Sequence, residues 1–450
     1  MNKHAFVIAT LAGLACNTHA QEAVPGEYLV KLREAPSARS QVNQFQAMAD
    51  VGLDVVESVN SERGVFLARA DSSLHAMSVR TLGRHPEVES IEPNYIWRVA
   101  FGSRPPTPQP SPTPTPRPTP RPTPTATPTP TPTPSPSPPA PPAGERASLP
   151  TLRPADSFFD KLWGLENLGQ GGGTPYVDIW APQAWKIFTG APNFIVAVID
   201  TGVEATHPDL QGNLVPGYSP YADNFDPKDE NGHGTHCAGT IGGRGDNGIG
   251  VTGVNWNVKI MPIRFLAADG SGTTANAIKG IDWAVENGAK VLSNSWGGGG
   301  RSEQLYQAVL RARDKGVLFI AAAGNESNNN DAKPSYPASY EVDNVITVAA
   351  SDKKEKLASF SNYGKKSVHL AAPGVDIYST YKGGTYKSLS GTSMATPHVA
   401  GAAALVWGHR PEFNYLQVKA ALLESVDRVA VYSAKTITGG RLNIYRALSR

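Results

Sequence analysis

The stretch "FIVAVIDTGVEATHPDL", residues 194–210, decides how this chain is to be read. Its first six residues are apolar without a break, the pattern of a strand buried on both faces rather than one. Asp200 closes the run, and a Thr-Gly turn follows at once. A carboxylate behind six apolar residues is costly to bury unless a partner offsets its charge. Taken alone, such an aspartate reads as a helix cap, a turn former or a catalytic group.

Four similar runs lie further along: "VKIMPI" (258–263), "AKVLSNS" (289–295), "VLFIAAA" (317–323) and "NVITVAA" (344–350). Segments of helical period separate them. In "TANAIKGIDWAVENGA" (274–289), Ile278, Ile281 and Val285 fall on one helix face. Alternation of this kind predicts an α/β fold over residues 157–450, a three-layer domain with a parallel sheet between helices. In such sheets the chemistry gathers at the carboxyl ends of the strands, which is where Asp200 stands.

Two further stretches stand out. "NGHGTHCAGT" (231–240) places His233, His236 and Cys237 within five residues. Three readings compete: a metal site, a cysteine nucleophile, or a histidine base whose partners lie elsewhere. "GTSMATPHVAGAAAL" (391–405) places Ser393 after a Gly-Thr turn at the start of an apolar helix, where an isolated serine is an N-cap. Cysteine usage weakens the metal reading. The N-terminus, "MNKHAFVIATLAGLACNTHA", has a basic start, an apolar run from Ala5 to Ala15 and a Thr-His-Ala ending. It reads as a secretory signal over residues 1–20, and its apolar run is too short to span a bilayer. Cleavage after Ala20 removes Cys16 and leaves Cys237 alone, so no intramolecular disulfide is expected. A zinc site would then lack sulfur ligands.

Aspartate, histidine and serine in that chain order, each in a Gly-rich setting, form one of the known orders of the serine-protease triad. Here the resemblance becomes specific. "VIDTGVEATHPDL", "NGHGTHCAGT" and "GTSMATPHVAGAAAL" are similar to the three signature segments of subtilisin-type serine proteases, the subtilases, and "HGTHC" resembles the proteinase K and thermitase branches. The resemblance implies a secreted serine endopeptidase that acts on protein and peptide substrates, with Asp200, His233 and Ser393 catalytic. It assigns the oxyanion donor to Asn325 in "AAAGNES", beside the Ser393 amide. His236 and Cys237 become packed residues of the helix behind His233, with Cys237 close enough for a mercurial to disturb that base. Substrate is expected to add a strand along Gly270, Ser271 and Gly272 on one side and Ser295, Trp296 and Gly297 on the other. "SYPASY" (335–340) is expected near the base of the primary pocket, with Tyr336-Pro337 a cis candidate.

Calcium is the ion the resemblance implies, held by the side chains of Asp209 and Asn247 and by carbonyls near Ile249 and Val251. "DNFDPKDE" (223–230) offers Asp223, Asp226 and Asp229 for a second ion, or reads simply as a solvated acidic loop.

Residues 21–102, with "EYLVKL", "GVFLARA" and "HPEVESIEPNYIW", resemble the small α+β propeptide of subtilases, an intramolecular inhibitor whose tail near residues 95–101 blocks the cleft. A permanent binding module is the alternative. Residues 103–145 hold about half of all the prolines, alternating with threonine and serine. Proline lacks an amide donor and fixes φ, so a packed core is excluded there and an extended spacer is expected, on the order of 100 Å long at roughly 3.1 Å per residue. Whether cleavage falls before or after this spacer is open at this level. The net charge of +2 and the lack of a concentrated basic face speak against nucleic acid, and a monomer without a membrane span is expected.

Overall fold

The computed structural model describes residues 21–33, 52–70, 87–100 and 148–450, with Phe45, Met48, Ala49 and Arg146 besides. The signal segment 1–20 and the Pro/Thr-rich segment 103–145 lie outside the described residues. The strands, in chain order, are β1 (Ala23–Leu32), β2 (Leu53–Asn60), β3 (Val65–Ala70), β4 (Val88–Val99), β5 (Gly190–Asp200), β6 (Asn257–Arg264), β7 (Ser271–Thr273) and β8 (Val291–Asn294). There follow β9 (Trp296–Gly297), β10 (Leu318–Ala322), β11 (Val345–Ser351), β12 (Leu370–Pro373), β13 (Ile377–Tyr381), β14 (Thr385–Leu389), β15 (Asp427–Arg428) and β16 (Gly440–Arg441). Four helices carry the argument: α1 (His233–Gly242), α2 (Thr274–Glu286), α3 (Glu303–Asp314) and α4 (Thr392–His409).

The five apolar runs become β5, β6, β8, β10 and β11, the middle of an eight-stranded sheet ordered β15-β16-β12-β11-β10-β8-β5-β6. All pairings in it are parallel except β15 with β16. Side chains alternate across a strand, and the two faces of β5 feed two separate cores. Val196 and Val198 pack with Cys237, Ala238 and Ile241 of α1 and Val399 and Ala403 of α4. Ala197 and Ile199 pack with Ile278 and Ile281 of α2 and Leu305 and Val309 of α3. Helices on both faces of one sheet make the three layers. The same alternation puts Asp200, in phase with Val196 and Val198, on the side of α1 and α4.

Helix α4 is buried from Thr392 to Trp407 and has no polar face. Such a helix suits only the centre of a large domain. Pro397 lies inside it and has no amide to give to the Ser393 carbonyl one turn back. Ser295 Oγ donates to that carbonyl instead, at 2.9 Å, and fastens the end of β8 to the start of α4.

At the N-terminus, β2-β3-β1-β4 form an antiparallel sheet. It does not stop at its own edge. Strand β4 runs on to pair antiparallel with β7, matching Ile96 to Thr273, Trp97 to Gly272 and Arg98 to Ser271. On its other side it pairs with β9, matching Arg98 to Gly297 and Val99 to Trp296.

Candidate active site

His233 opens α1 directly after Gly232, whose φ is 106°. A Cβ at Gly232 would come within 2.4 Å of the Tyr381 ring, so both the dihedral and the space demand glycine. His233 Nδ1 lies 2.8 Å from Asp200 Oδ1, and both side chains are fully buried. Asp200 Oδ1 also accepts from the Thr201 amide at 2.7 Å. The imidazole is thus held by its Nδ1 side and its ring orientation is fixed.

The loop beneath is braced by a residue that sequence reading placed wrongly. Asp229, offered above as part of a solvated acidic loop or a second ion site, is buried with 4% exposure. Its carboxylate accepts from the amides of Asn231, Gly232 and Thr235 and from the hydroxyls of Thr201 and Thr235, at 2.6 to 2.9 Å. It caps the loop that leads into α1, and with its lone pairs so engaged it leaves the second ion site unsupported. Asp-Glu-Asn-Gly ahead of a helix is the usable signal, since aspartate readily accepts from amides two and three residues on.

His236 and Cys237 are packed residues, as expected. His236 Nε2 meets the carbonyls of Ile377 and Lys387 at 2.9 and 3.0 Å, tying α1 to the β13–β14 hairpin, and burial pushes its pKa down to about 3. Cys237 Sγ reaches the Ser393 carbonyl at 3.6 Å, so one turn of α1 lies against the start of α4. Asp200, His233 and Cys237 place one ligand atom each within 4.8 Å of one another, as three metal ligands would. Burial, however, raises the Cys237 thiol well above its ordinary value. A thiol held protonated is a poor nucleophile.

Ser393 Oγ stands 2.7 Å from the carbonyl oxygen of Ala100 and 2.9 Å from that of Ser295. Asn325 leans toward the same place. Its Oδ1 accepts from the amide and hydroxyl of Thr392 at 2.9 and 3.0 Å, while its Nδ2 is buried with no hydrogen-bond partner among the described residues. An amide locked by one end with its donor unspent suits a charge that develops only during reaction.

The six strand residues flank the chain that occupies the cleft. Val99 N–H donates to the Gly270 carbonyl at 3.0 Å, and Ala100 N–H to the Ser295 carbonyl at 3.3 Å. Trp97 is fully buried against Trp296, ring centroids 5.4 Å apart, and its indole N–H donates to Thr274 Oγ1 at 3.0 Å. A Cβ at Gly299 would sit 2.7 Å from that ring, so glycine there makes room for a large side chain. Alongside the strand from Ile96 to Ala100 an open space of about 320 Å³ is bordered by Gly298, Gly324, Glu326 and Ser335. The Tyr336-Pro337 bond nearby is cis.

Asp209 and Asn247 also come together. Asp209 is fully buried and accepts from Asn247 Nδ2 at 2.9 Å and from the Val251 amide at 2.6 Å. The Ile249 amide turns in on Asn247 Oδ1 at 3.0 Å. Sequence reading missed Asp156. It is buried and accepts from the amides of Asp246 and Asn247, at 2.8 and 3.2 Å. Burial raises both carboxyls, and the charge of Asp209 raises Asp156 further. Among the described residues neither has an ion-pair partner. Two neighbouring buried carboxylates and the Asn247 side-chain oxygen are oxygen ligands of the kind a hard divalent cation such as calcium takes, and a cation there would displace the amide donors that the carboxylates now accept from. No local motif marks Asp156, which lies more than 50 residues from Asp209 in the chain.

Residues 191–440 match the model of a family described as the subtilase family. Over 273 residues the chain is 43% identical to thermitase of Thermoactinomyces vulgaris, covering 60% of this chain and 93% of that one. To the thermophilic serine proteinase of Bacillus sp. strain AK1 it is 32% identical over 426 residues, covering 95% of this chain and 88% of that one. A solved protease structure from Pseudoalteromonas arctica shares the fold at a TM-score of 0.59 and 30% identity, covering 66% of this chain and 99% of that one. With the buried Asp200–His233 pair, Ser393 at the head of α4 and a peptide strand across them, these likenesses lead to one conclusion: the chain belongs to the subtilase family and is a subtilisin-type serine endopeptidase.

Proposed function

We propose that Asp200, His233 and Ser393 hydrolyse peptide bonds through an acyl-enzyme, in a protein made as a secreted, self-restrained precursor. The observation that carries this is the strand from Ile96 to Ala100, laid between β7 and β9 with a carbonyl oxygen 2.7 Å from Ser393 Oγ. A peptide held by both edges, its carbonyl on a serine beside a buried aspartate–histidine pair, has the posture of a substrate. In the reaction His233 takes the Ser393 proton as Oγ attacks the carbonyl carbon. Asp200 holds the imidazole by Nδ1 and stabilises its charged form. Asn325 Nδ2 donates to the developing oxyanion.

Residues 21–102 act in this reading as an intramolecular inhibitor, because the strand that fills the cleft belongs to their sheet. The family resemblance supports a broad preference for apolar or aromatic substrate side chains, while Trp296 and Glu326 together border the space beside Ala100. Asp156, Asp209 and Asn247 would hold calcium, which on binding offsets the paired carboxylates and stiffens the 246–251 loop. Secretion rests on the N-terminal signal pattern, and no helix of the described residues is long and apolar enough to cross a membrane. The test is a serine-reactive fluorophosphonate with peptide mapping. A label on Ser393, absent in Ser393→Ala along with all proteolysis, is the expected result. Turnover that survives Ser393→Ala would overturn the reading.

A further inference from the structure

The strand that fills the cleft is gripped over a greater length than the chemistry at Ser393 needs. Counted back from the Ala100 carbonyl, with Ala100 first, Trp97 is fourth, Tyr95 sixth and Glu92 ninth. The large domain still holds the backbone at the sixth residue, where the Tyr95 carbonyl accepts from Thr274 Oγ1 at 3.3 Å. The Tyr95 ring lies against Gly300, so closely that a Cβ there would come within 2.7 Å of it. Gly300 does not have a positive φ, so its backbone is open to alanine and only the space for the ring calls for glycine.

Three residues further back, the Glu92 carboxylate is seated on the first turn of α3. It accepts from Ser302 Oγ at 2.5 Å and from the amides of Glu303 and Gln304 at 2.7 and 3.1 Å. The side chain of Gln304 reaches one step beyond, to Ser90 Oγ at 3.1 Å. The neighbouring Glu303 carboxylate is engaged by Arg301 at 3.0 Å. A helix of 12 residues turns its free amides and the positive end of its dipole toward this point. The carboxylate found there identifies the ligand that the turn accepts. Parted from the N-terminal sheet, Gly300, Ser302 and the two amides would stand open along the line of the cleft.

We propose that the enzyme reads its substrates far upstream of the cut, through an aromatic slot over Gly300 at the sixth residue and a carboxylate site at the start of α3 at the ninth. This rests on the reading of the strand from Ile96 to Ala100 as a substrate in place. The substrate class that follows is an extended protein segment with an acidic residue three positions ahead of an aromatic one. A peptide that begins at the fourth residue before the cut gains neither contact. Both contacts lie far from the reacting carbonyl and are the same in the bound substrate and in the transition state. They therefore lower KM and leave kcat alone.

The full chain, expressed and titrated at its active site with the fluorophosphonate, would be given four acetylated, internally quenched peptides. The parent carries the sequence of residues 90–100 ahead of a constant tail. The others carry in addition Tyr95→Ala, Glu92→Ala, or an exchange of Ile91 with Glu92. All four are expected to be cut after Ala100. Loss of the ring or of the carboxylate should each raise KM about tenfold, with kcat changed by less than about twofold. The exchange keeps the composition but turns the carboxylate to the other face of an extended strand, and should cost as much as its deletion. In the enzyme, Gly300→Ala fills the slot, and Tyr95→Ala made with it lets the N-terminal sheet still seat. That double variant should cut the parent and the peptide without the ring at rates within about twofold of each other. Equal KM for all four peptides, each cut after Ala100, would overturn the proposal and leave the protease reading intact. An exchanged peptide as good as the parent would overturn the carboxylate site, and a tyrosine preference that survives Gly300→Ala would overturn the slot. Cuts at other bonds would overturn the placement of substrate on which both depend. A chain that neither titrates nor cuts any peptide would overturn the protease reading as well.

Discussion

The N-terminal sheet and the large sheet bury their apolar faces in different ways. In the large domain both faces of β5 meet helices of the same domain, so each alternate residue finds a core at home. The N-terminal sheet splits its residues. Val30, Leu32, Phe66, Ala68 and Ala70 make a small core with Met48, Leu53 and Val88. The opposite faces of the same strands, Leu29, Val65 and Leu67, join the core of α2 and α3 in the large domain. Docking also engages two helix ends. Glu92 accepts from Ser302 Oγ and the amides of Glu303 and Gln304 at the start of α3, and Asn94 Oδ1 accepts from the Ala275 amide at the start of α2. A small sheet that borrows half of its core loses much of its stability once parted from the lender, whereas the large domain keeps its own. That asymmetry is what the proposed inhibitor role of residues 21–102 requires, a small sheet able to leave a domain that stays folded.

The comparison can be broken at several points. Asn325→Ala touches chemistry without touching either core. It should lower turnover by about 10² to 10³, some 3 to 4 kcal/mol, with melting temperature and docking of the N-terminal sheet unchanged. A parallel loss of docking would mean that the two functions are not separable. Leu67→Ala removes a side chain at the shared face, where Leu67 pairs with Leu29. Docking should weaken by about 2 to 3 kcal/mol, read as earlier appearance of active enzyme, with unaltered kcat once mature. If the mature domain also melts lower, the shared face is not the N-terminal sheet's alone to lose.

Asp156→Asn probes the proposed calcium site. In calcium it should melt about 5 °C lower than the parent, roughly 2 kcal/mol for a domain of this size, and chelation should then lower it little further. Equal losses on chelation in both proteins would remove Asp156 from the site. Acid sensitivity is a separate test. His236 and His398 are held neutral by burial, pushed down to about 3 and about 4 from an ordinary 6.5. Unfolded, both protonate below 6.5, so the unfolded state binds more protons there and stability falls as pH drops from 6.5 toward those folded values. Each contributes a slope of about 1.4 kcal/mol per pH unit. The described part of the N-terminal sheet contains no histidine and should lack this slope. Denaturant melts of the full chain at pH 7 and pH 5, followed by hydrogen exchange of each sheet, would show whether the loss is confined to the large domain.

Much of the catalytic domain is legible in the sequence because its signals are local. Five apolar runs announce five buried parallel strands, and a carboxylate at the end of one announces a strand-end site. Gly232 beside His233 and a serine at the head of an apolar helix are equally plain. Asp229 and Asp156 were misread or missed for a common reason. Each is a surface-type residue whose burial depends on distant elements, Asp229 on Thr201 and Asp156 on the 246–247 amides.

The sequence alone determined the α/β alternation, the order Asp200, His233, Ser393 and the exclusion of a core from residues 103–145, because hydrophobic period, strand-end polarity and the chemistry of proline act over a few residues at a time. Tertiary structure alone decided which carbonyl meets Ser393, since Ala100 stands 293 residues away in the chain. It also decided that the N-terminal sheet shares a core with α2 and α3. The physical reason is the same in both cases. A strand edge specifies that some backbone must pair with it, but only the packed surfaces of both partners fix which strand arrives and in what register.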